Sequence, residues 1–157
     1  MKADIMQPIE SVLKSSVPEE LISVLQVVVN LAFASDAVAS KMLTKEVMKS
    51  LKLLCAHKEM KVQQLALLAV GNLAFCWENR RTLVASESLR ELLVRLTAGP
   101  TSCISKAAAR ALIILGEDEY LRRANWVPGL EASRETVLPF ARRSARNLQA
   151  SLHEAVF

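Results

Sequence analysis

Asn30-Leu31-Ala32-Phe33 and Asn72-Leu73-Ala74-Phe75 are the same tetrapeptide written twice, 42 residues apart. The flanking apolar positions keep that register: Leu25 falls over Leu67, Val47 over Leu89, Leu51 over Leu93 and Leu54 over Leu96. A third, partial copy appears when Ala69 is carried to Ala111 and Leu73 to Leu115. A period of roughly 40–47 residues with helical patterning marks a stack of all-helical repeats. Each repeat leaves an apolar face that only its neighbour can cover. The expected fold is therefore all-α, a right-handed α-α superhelix of about two and a half repeats.

Working outward, Pro18-Glu19-Glu20 opens a helix, with proline in the first turn and acids complementing the dipole. Leu21, Val24, Leu25, Val28 and Leu31 form its apolar stripe, which ends near Ser35. A short helix runs from Ser35-Asp36 through Met42, and Thr44 caps the next, whose apolar face is Val47, Met48, Leu51 and Leu54. After a turn at His57 to Met60 the pattern repeats: a long helix from Lys61 to Phe75, a short one from Trp77 to Ala85, and Ser86 capping Leu89 to Leu96. Ala98-Gly99-Pro100 stops that helix, and Ser102 to Leu115 opens the third unit. Residues 1–17 are a lead-in with a short helix from Ile9 to Lys14, 18–124 hold the repeats with a last short helix from Glu117 to Ala124, and 125–157 form a divergent tail. The tail carries Val137, Phe140, Ala141, Ala145, Leu148 and Leu152 at helical spacing, so it either caps the last repeat or stays poorly ordered. About three repeats are needed for independent stability, so both ends are expected to contribute caps.

Composition narrows the function. Hydrophobic residues make up 52% of 157 and aromatics 4%, so the interior is Leu, Val, Ile and Ala, suited to close helix contacts. The net charge of +4 is mild. The lysines at 41, 45, 49, 52, 58 and 61 read as a solvated helix face, without the arginines and aromatics that strand or base contacts use, so no nucleic acid is expected. Three cysteines, Cys55, Cys76 and Cys103, are odd in number and without a CxxC pair, which points to free thiols in a reducing, cytoplasmic setting. No signal-peptide pattern and no run of 18 apolar residues is present, and membrane contact is not expected. Neither histidine has ligand spacing to a thiol, so no metal and no cofactor is expected.

Asn30 and Asn72 are the candidate binding residues. An asparagine late in an apolar helix is costly to bury unless both amide groups find partners. Two at one repeat spacing form a short ladder able to bond the N–H and C=O of an extended peptide; alternatively each bonds a neighbouring helix end. Ile114 occupies the third place, so the ladder has two rungs. Arg80, Arg81 and Arg110 form a possible basic spot for an acidic partner or lipid headgroup, although arginines there also cap helix carbonyls.

Leu25–Phe33 and Leu67–Phe75 resemble the third helix of armadillo repeats, with the Asn-Leu-Ala ending typical of that family, and Asn30 and Asn72 match its groove asparagines. The resemblance implies a protein or peptide partner. Import receptors of this type carry tryptophan four residues before the asparagine, where Gln26 and Leu68 stand here, so a lysine-rich nuclear signal is not the expected ligand. Leu67 to Pro100, with Asn79-Arg80-Arg81-Thr82-Leu83-Val84, and Lys106-Ala107-Ala108-Ala109-Arg110-Ala111-Leu112 through Glu117 to Ala124 resemble the armadillo region of large plant patatin-like phospholipases. In that family the repeats precede the lipase domain. Its chemistry needs a GxSxG elbow and a glycine-rich oxyanion turn, and this chain has neither. The expected function is a non-catalytic protein- or peptide-binding scaffold; the alternative is a fragment of a patatin-like phospholipase lacking its catalytic domain. Oligomeric state is left open by the sequence.

Overall fold

A computed structural model describes residues 4–100 and 102–116 of the chain. Among them there are eight helices and no strand: α1 (Met6–Val12), α2 (Pro18–Ala34), α3 (Asp36–Met42), α4 (Lys45–Leu54), α5 (Met60–Leu73), α6 (Trp77–Ala85), α7 (Glu87–Thr97) and α8 (Cys103–Leu115). The helical expectations for Glu117 to Ala124 and for the tail at 125–157 lie outside the described residues.

The order short, medium, long occurs twice, as α3-α4-α5 and α6-α7-α8, in the register of the sequence repeat. The long helices form one layer, with α5 packed between α2 and α8. The medium helices form the other: α4 lies on α5 and α7 on α8. The lead-in helix α1 packs on both α2 and α4, one turn earlier than the spacing suggested.

Local chemistry sets the boundaries. Pro18 stands in the first turn of α2 with Glu19 and Glu20, and Ser35, in extended backbone, ends α2 and caps α3 by accepting from the Val38 N–H. The Thr44 hydroxyl accepts from the Val47 N–H at 3.2 Å to cap α4, and donates to Glu10 Oε1 at 2.6 Å, which ties α4 to α1. Lys14 and Glu46 add an exposed ion pair at 2.9 Å across the same junction. Ser86 does not cap α7 as its sequence context suggested. Its ψ is 94°, against 152° at Ser35 and 165° at Thr44, so the hydroxyl is not aimed at the open N–H groups and lies 3.4 Å from Ser88 Oγ instead.

The core is aliphatic. Leu25, Leu51, Leu67, Leu73, Leu93 and Leu112 have essentially no exposure. Each contributes about 1.5–3 kcal/mol by leaving water. Ala108 and Ala111 are fully buried, and their small side chains let α8 lie close to α5.

One asymmetry between equivalent helices matters for the site. Val62, Leu65, Ala69 and Asn72 on α5, and Cys76 just beyond it, are all buried, as a face turned to a neighbouring helix must be. Their counterparts one repeat earlier, Glu20, Ser23, Val27, Asn30 and Ala34, are all exposed. Equivalent backbone positions thus carry different surroundings: the exposed set on α2 is polar or small except for Val27, a hydrophobic side chain left 46% exposed.

Candidate functional site

The two asparagines of the repeated tetrapeptide are placed differently. Asn30 is exposed near the end of α2. Asn72 is only 1% exposed, and both ends of its amide are used inside the protein. Its Nδ2 donates to the Val29 carbonyl of α2 at 3.1 Å, and its Oδ1 accepts from Arg110 Nη2 of α8 at 2.8 Å. This is the neighbouring-helix partner that a buried asparagine requires. Asn72 joins three successive long helices and spends both ends of its amide on them, whereas the Asn30 side chain is exposed.

Arg110, read from sequence as part of a basic surface spot, is 4% exposed. Apart from its bond to Asn72, its guanidinium carbon lies 5.5 Å from the centre of the Phe75 ring. The Nε and Nη1 groups are buried without a partner. Burial lowers its pKa to about 10, still far enough above neutrality to keep the charge. Gly71 makes room for it: a Cβ at that position would stand 2.6 Å from Arg110 Nη1. Phe75 in turn meets Phe33 edge-on, with centroids 6.4 Å apart and planes at 82°. A series of ring contacts therefore links the long helices, from Phe33 on α2, through Phe75 just after α5, to Arg110 on α8.

The other two arginines do not join Arg110. Arg80 donates from Nε to the Ala74 carbonyl at 2.6 Å and from Nη2 to the Phe75 carbonyl at 3.4 Å, so it closes the open carbonyls at the end of α5. Arg81 is exposed on α6. Asn79 was not singled out from sequence, yet it is 4% exposed and shares its Nδ2 between the carbonyls of Ala39 and Leu73, each at 3.0 Å. The available signal was an amide on a short helix facing the break after a long one, where unpaired carbonyls gather.

Nothing in this arrangement resembles a nucleophile with its base. Cys55 is fully buried and desolvation raises its pKa to about 12, so it carries no thiolate near neutrality. Among the described residues no group of three His, Cys, Asp or Glu side chains could hold a metal ion, and no helix is long and apolar enough to cross a membrane.

No protein-family model matches the chain, and no solved structure matches it. Over 124 residues the chain is 68% identical to an Arabidopsis thaliana protein described as phospholipase A I. The match covers 79% of this chain and 10% of that protein, so the chain spans about a tenth of the length of the relative.

Proposed function

We propose that the chain is a helical-repeat piece of the phospholipase A lineage that carries no catalytic machinery and serves as an interaction surface. The 68% identity over 124 residues to phospholipase A I supports this reading. It favours the phospholipase-fragment alternative, and it agrees with the residue strings that resemble the armadillo region of patatin-like enzymes. The three-helix units α3-α4-α5 and α6-α7-α8, stacked at the sequence period in two layers, suit an armadillo-type right-handed superhelix. A GxSxG elbow is missing from the sequence, and the buried Cys55 thiol stays protonated near neutrality.

A second reading, the protein- or peptide-binding scaffold, has its support in the exposed Asn30 amide and the Phe33–Phe75 pair on the layer of long helices. The two are compatible, since an enzyme's repeat region can be its docking surface.

The test is a chimera. The matching segment of the Arabidopsis relative is replaced with the corresponding residues of this chain, and release of fatty acid from phosphatidylcholine is measured. Retained hydrolysis by the chimera, with none from the purified chain, is expected. Hydrolysis by the isolated chain would sink the non-catalytic reading, and a well-folded but inactive chimera would sink the claim of lineage equivalence.

A further inference from the structure

Among the described residues, Arg110 alone keeps buried side-chain nitrogens without a partner. A guanidinium has five N–H donors in a planar fork and no acceptor. One nitrogen is engaged by Asn72; no carboxylate among the described residues pairs with the others, whose ion pairs are Lys14 with Glu46 and Arg90 with Glu87. A charge taken out of water is costly unless paired and hydrogen-bonded. A solvated surface arginine would give the protein the same charge at no such cost. The fork is held where it is by a matched residue: Gly71 on the facing helix leaves the notch that any larger side chain would fill.

The surroundings select the missing partner by charge. Helices α5 and α8 contain no Asp or Glu, and Lys61 adds positive charge at the start of α5. They select it by size as well. A guanidinium that is 4% exposed, lying over an aromatic ring, is reached by one flat carboxylate on a slender side chain. A tetrahedral headgroup fixed in a bilayer surface has no comparable approach. Carboxylate and guanidinium also match as planar forks, which gives two parallel charge-assisted bonds.

We infer that Arg110 is the anchor for a Glu or Asp side chain of an acidic peptide laid across the inner helix layer, with Phe75 as the floor of the site and Asn30 meeting the peptide main chain. A small outward rotation of the guanidinium over the Phe75 ring brings the edge formed by Nε–H and the second N–H of Nη2 to the carboxylate, while Nη2 keeps its other N–H on Asn72 and Nη1 stays against Gly71. Phe33 bridges the two ends of the site. The inference rests on the inner layer being a peptide-binding surface, as proposed above, and adds the chemistry of the peptide.

The experiment titrates the full chain with fluorescein-labelled hexaglutamate, with hexaglutamine, and with vesicles of phosphatidylcholine containing phosphatidic acid. Wild type is compared with Arg110→Lys, which keeps the charge but loses the fork, with Arg110→Leu, and with Asn30→Ala, after circular dichroism shows equal helicity. Hexaglutamate is expected to bind and hexaglutamine to bind more weakly. Both Arg110 variants should weaken hexaglutamate binding by about tenfold or more. In wild type the Arg110 Nε–H resonance should shift on adding hexaglutamate, a readout that does not depend on any variant folding. Unchanged affinity in both Arg110 variants, or an unmoved Nε–H resonance, overturns the inference. So does binding that is confined to the vesicles. Weaker binding of both peptides by Asn30→Ala, with the Arg110 variants unaffected, keeps the peptide surface and overturns the carboxylate anchor. Binding that fails only with Arg110 variants keeps the anchor and removes Asn30 from the site.

Discussion

Gly71→Ala tests how firmly Arg110 is held. In a helix interior the exchange should stabilise by about 1 kcal/mol, because alanine loses less backbone freedom on folding. Here the new methyl would stand 2.6 Å from Arg110 Nη1 and 3.5 Å from its Cζ, so the guanidinium must leave its place. Leaving breaks the 2.8 Å bond to Asn72, a charged hydrogen bond of about 1.5–3 kcal/mol. It also disturbs the contact with the Phe75 ring, of order 0.5–2 kcal/mol. The losses outweigh the gain, and we expect a net destabilisation of about 1–2 kcal/mol. In an Arg110→Ala background the obstacle is gone, the remaining neighbour is Ile114 Cδ1 at an ordinary 3.8 Å, and the same exchange should stabilise by about 1 kcal/mol. Urea unfolding of the four proteins, followed by far-ultraviolet circular dichroism, gives the coupling, expected at about 2–3 kcal/mol. Additivity to within about 0.5 kcal/mol would refute the reasoning, since it would mean that the fork yields freely and is not fixed by Asn72 and Phe75.

The same unfolding assay separates the two asparagines: Asn72→Ala should cost about 2–4 kcal/mol by removing the one hydrogen bond of the buried guanidinium and the link to the Val29 carbonyl, whereas Asn30→Ala should stay within about 0.5 kcal/mol. Asn79→Ala removes the donor shared by Ala39 and Leu73 and should cost about 1–3 kcal/mol; Asn79→Asp should cost more, because a buried carboxylate would then face two carbonyl oxygens. Iodoacetamide at about pH 8 should modify the exposed Cys103 first, while Cys55, its thiol neutral below about 12, is labelled only as urea unfolds the chain; mass spectrometry of the peptides reads the order.

The helices could be read from sequence because their signals are local. Pro18 with two acids, the Thr44 cap, Trp77 through Ala85 and the glycine–proline stop at 99–100 act through residues one turn away, and the observed boundaries follow them. The site was less legible because its decisive contacts join residues 38 to 43 positions apart. Asn30 and Asn72 sit in identical tetrapeptides, and only the neighbours differ: α5 has a long helix on each side, while the matching face of α2 is exposed. Arg110 looked like a surface charge because arginine is rarely buried without a partner. Its burial depends on a glycine in another helix, and no periodicity within α8 announces that pairing. Ser86 failed as a cap for a backbone reason, a ψ that residue type does not encode.

The polar bonds between helices have a mechanical consequence. Aliphatic surfaces resist being pulled apart but slide over one another at little cost, since one methyl contact replaces another. A stack held by leucines alone would therefore bend by slippage between adjacent long helices. Asn72 pins α5 to the Val29 carbonyl of α2, Arg110 pins α8 to Asn72, and Asn79 pins α6 to the Ala39 carbonyl of α3. Each is a directional link that fails after about an ångström of shear. The three together act as rivets in a greased laminate: they set the register between neighbouring helices, which cannot slide past one another without breaking a buried bond.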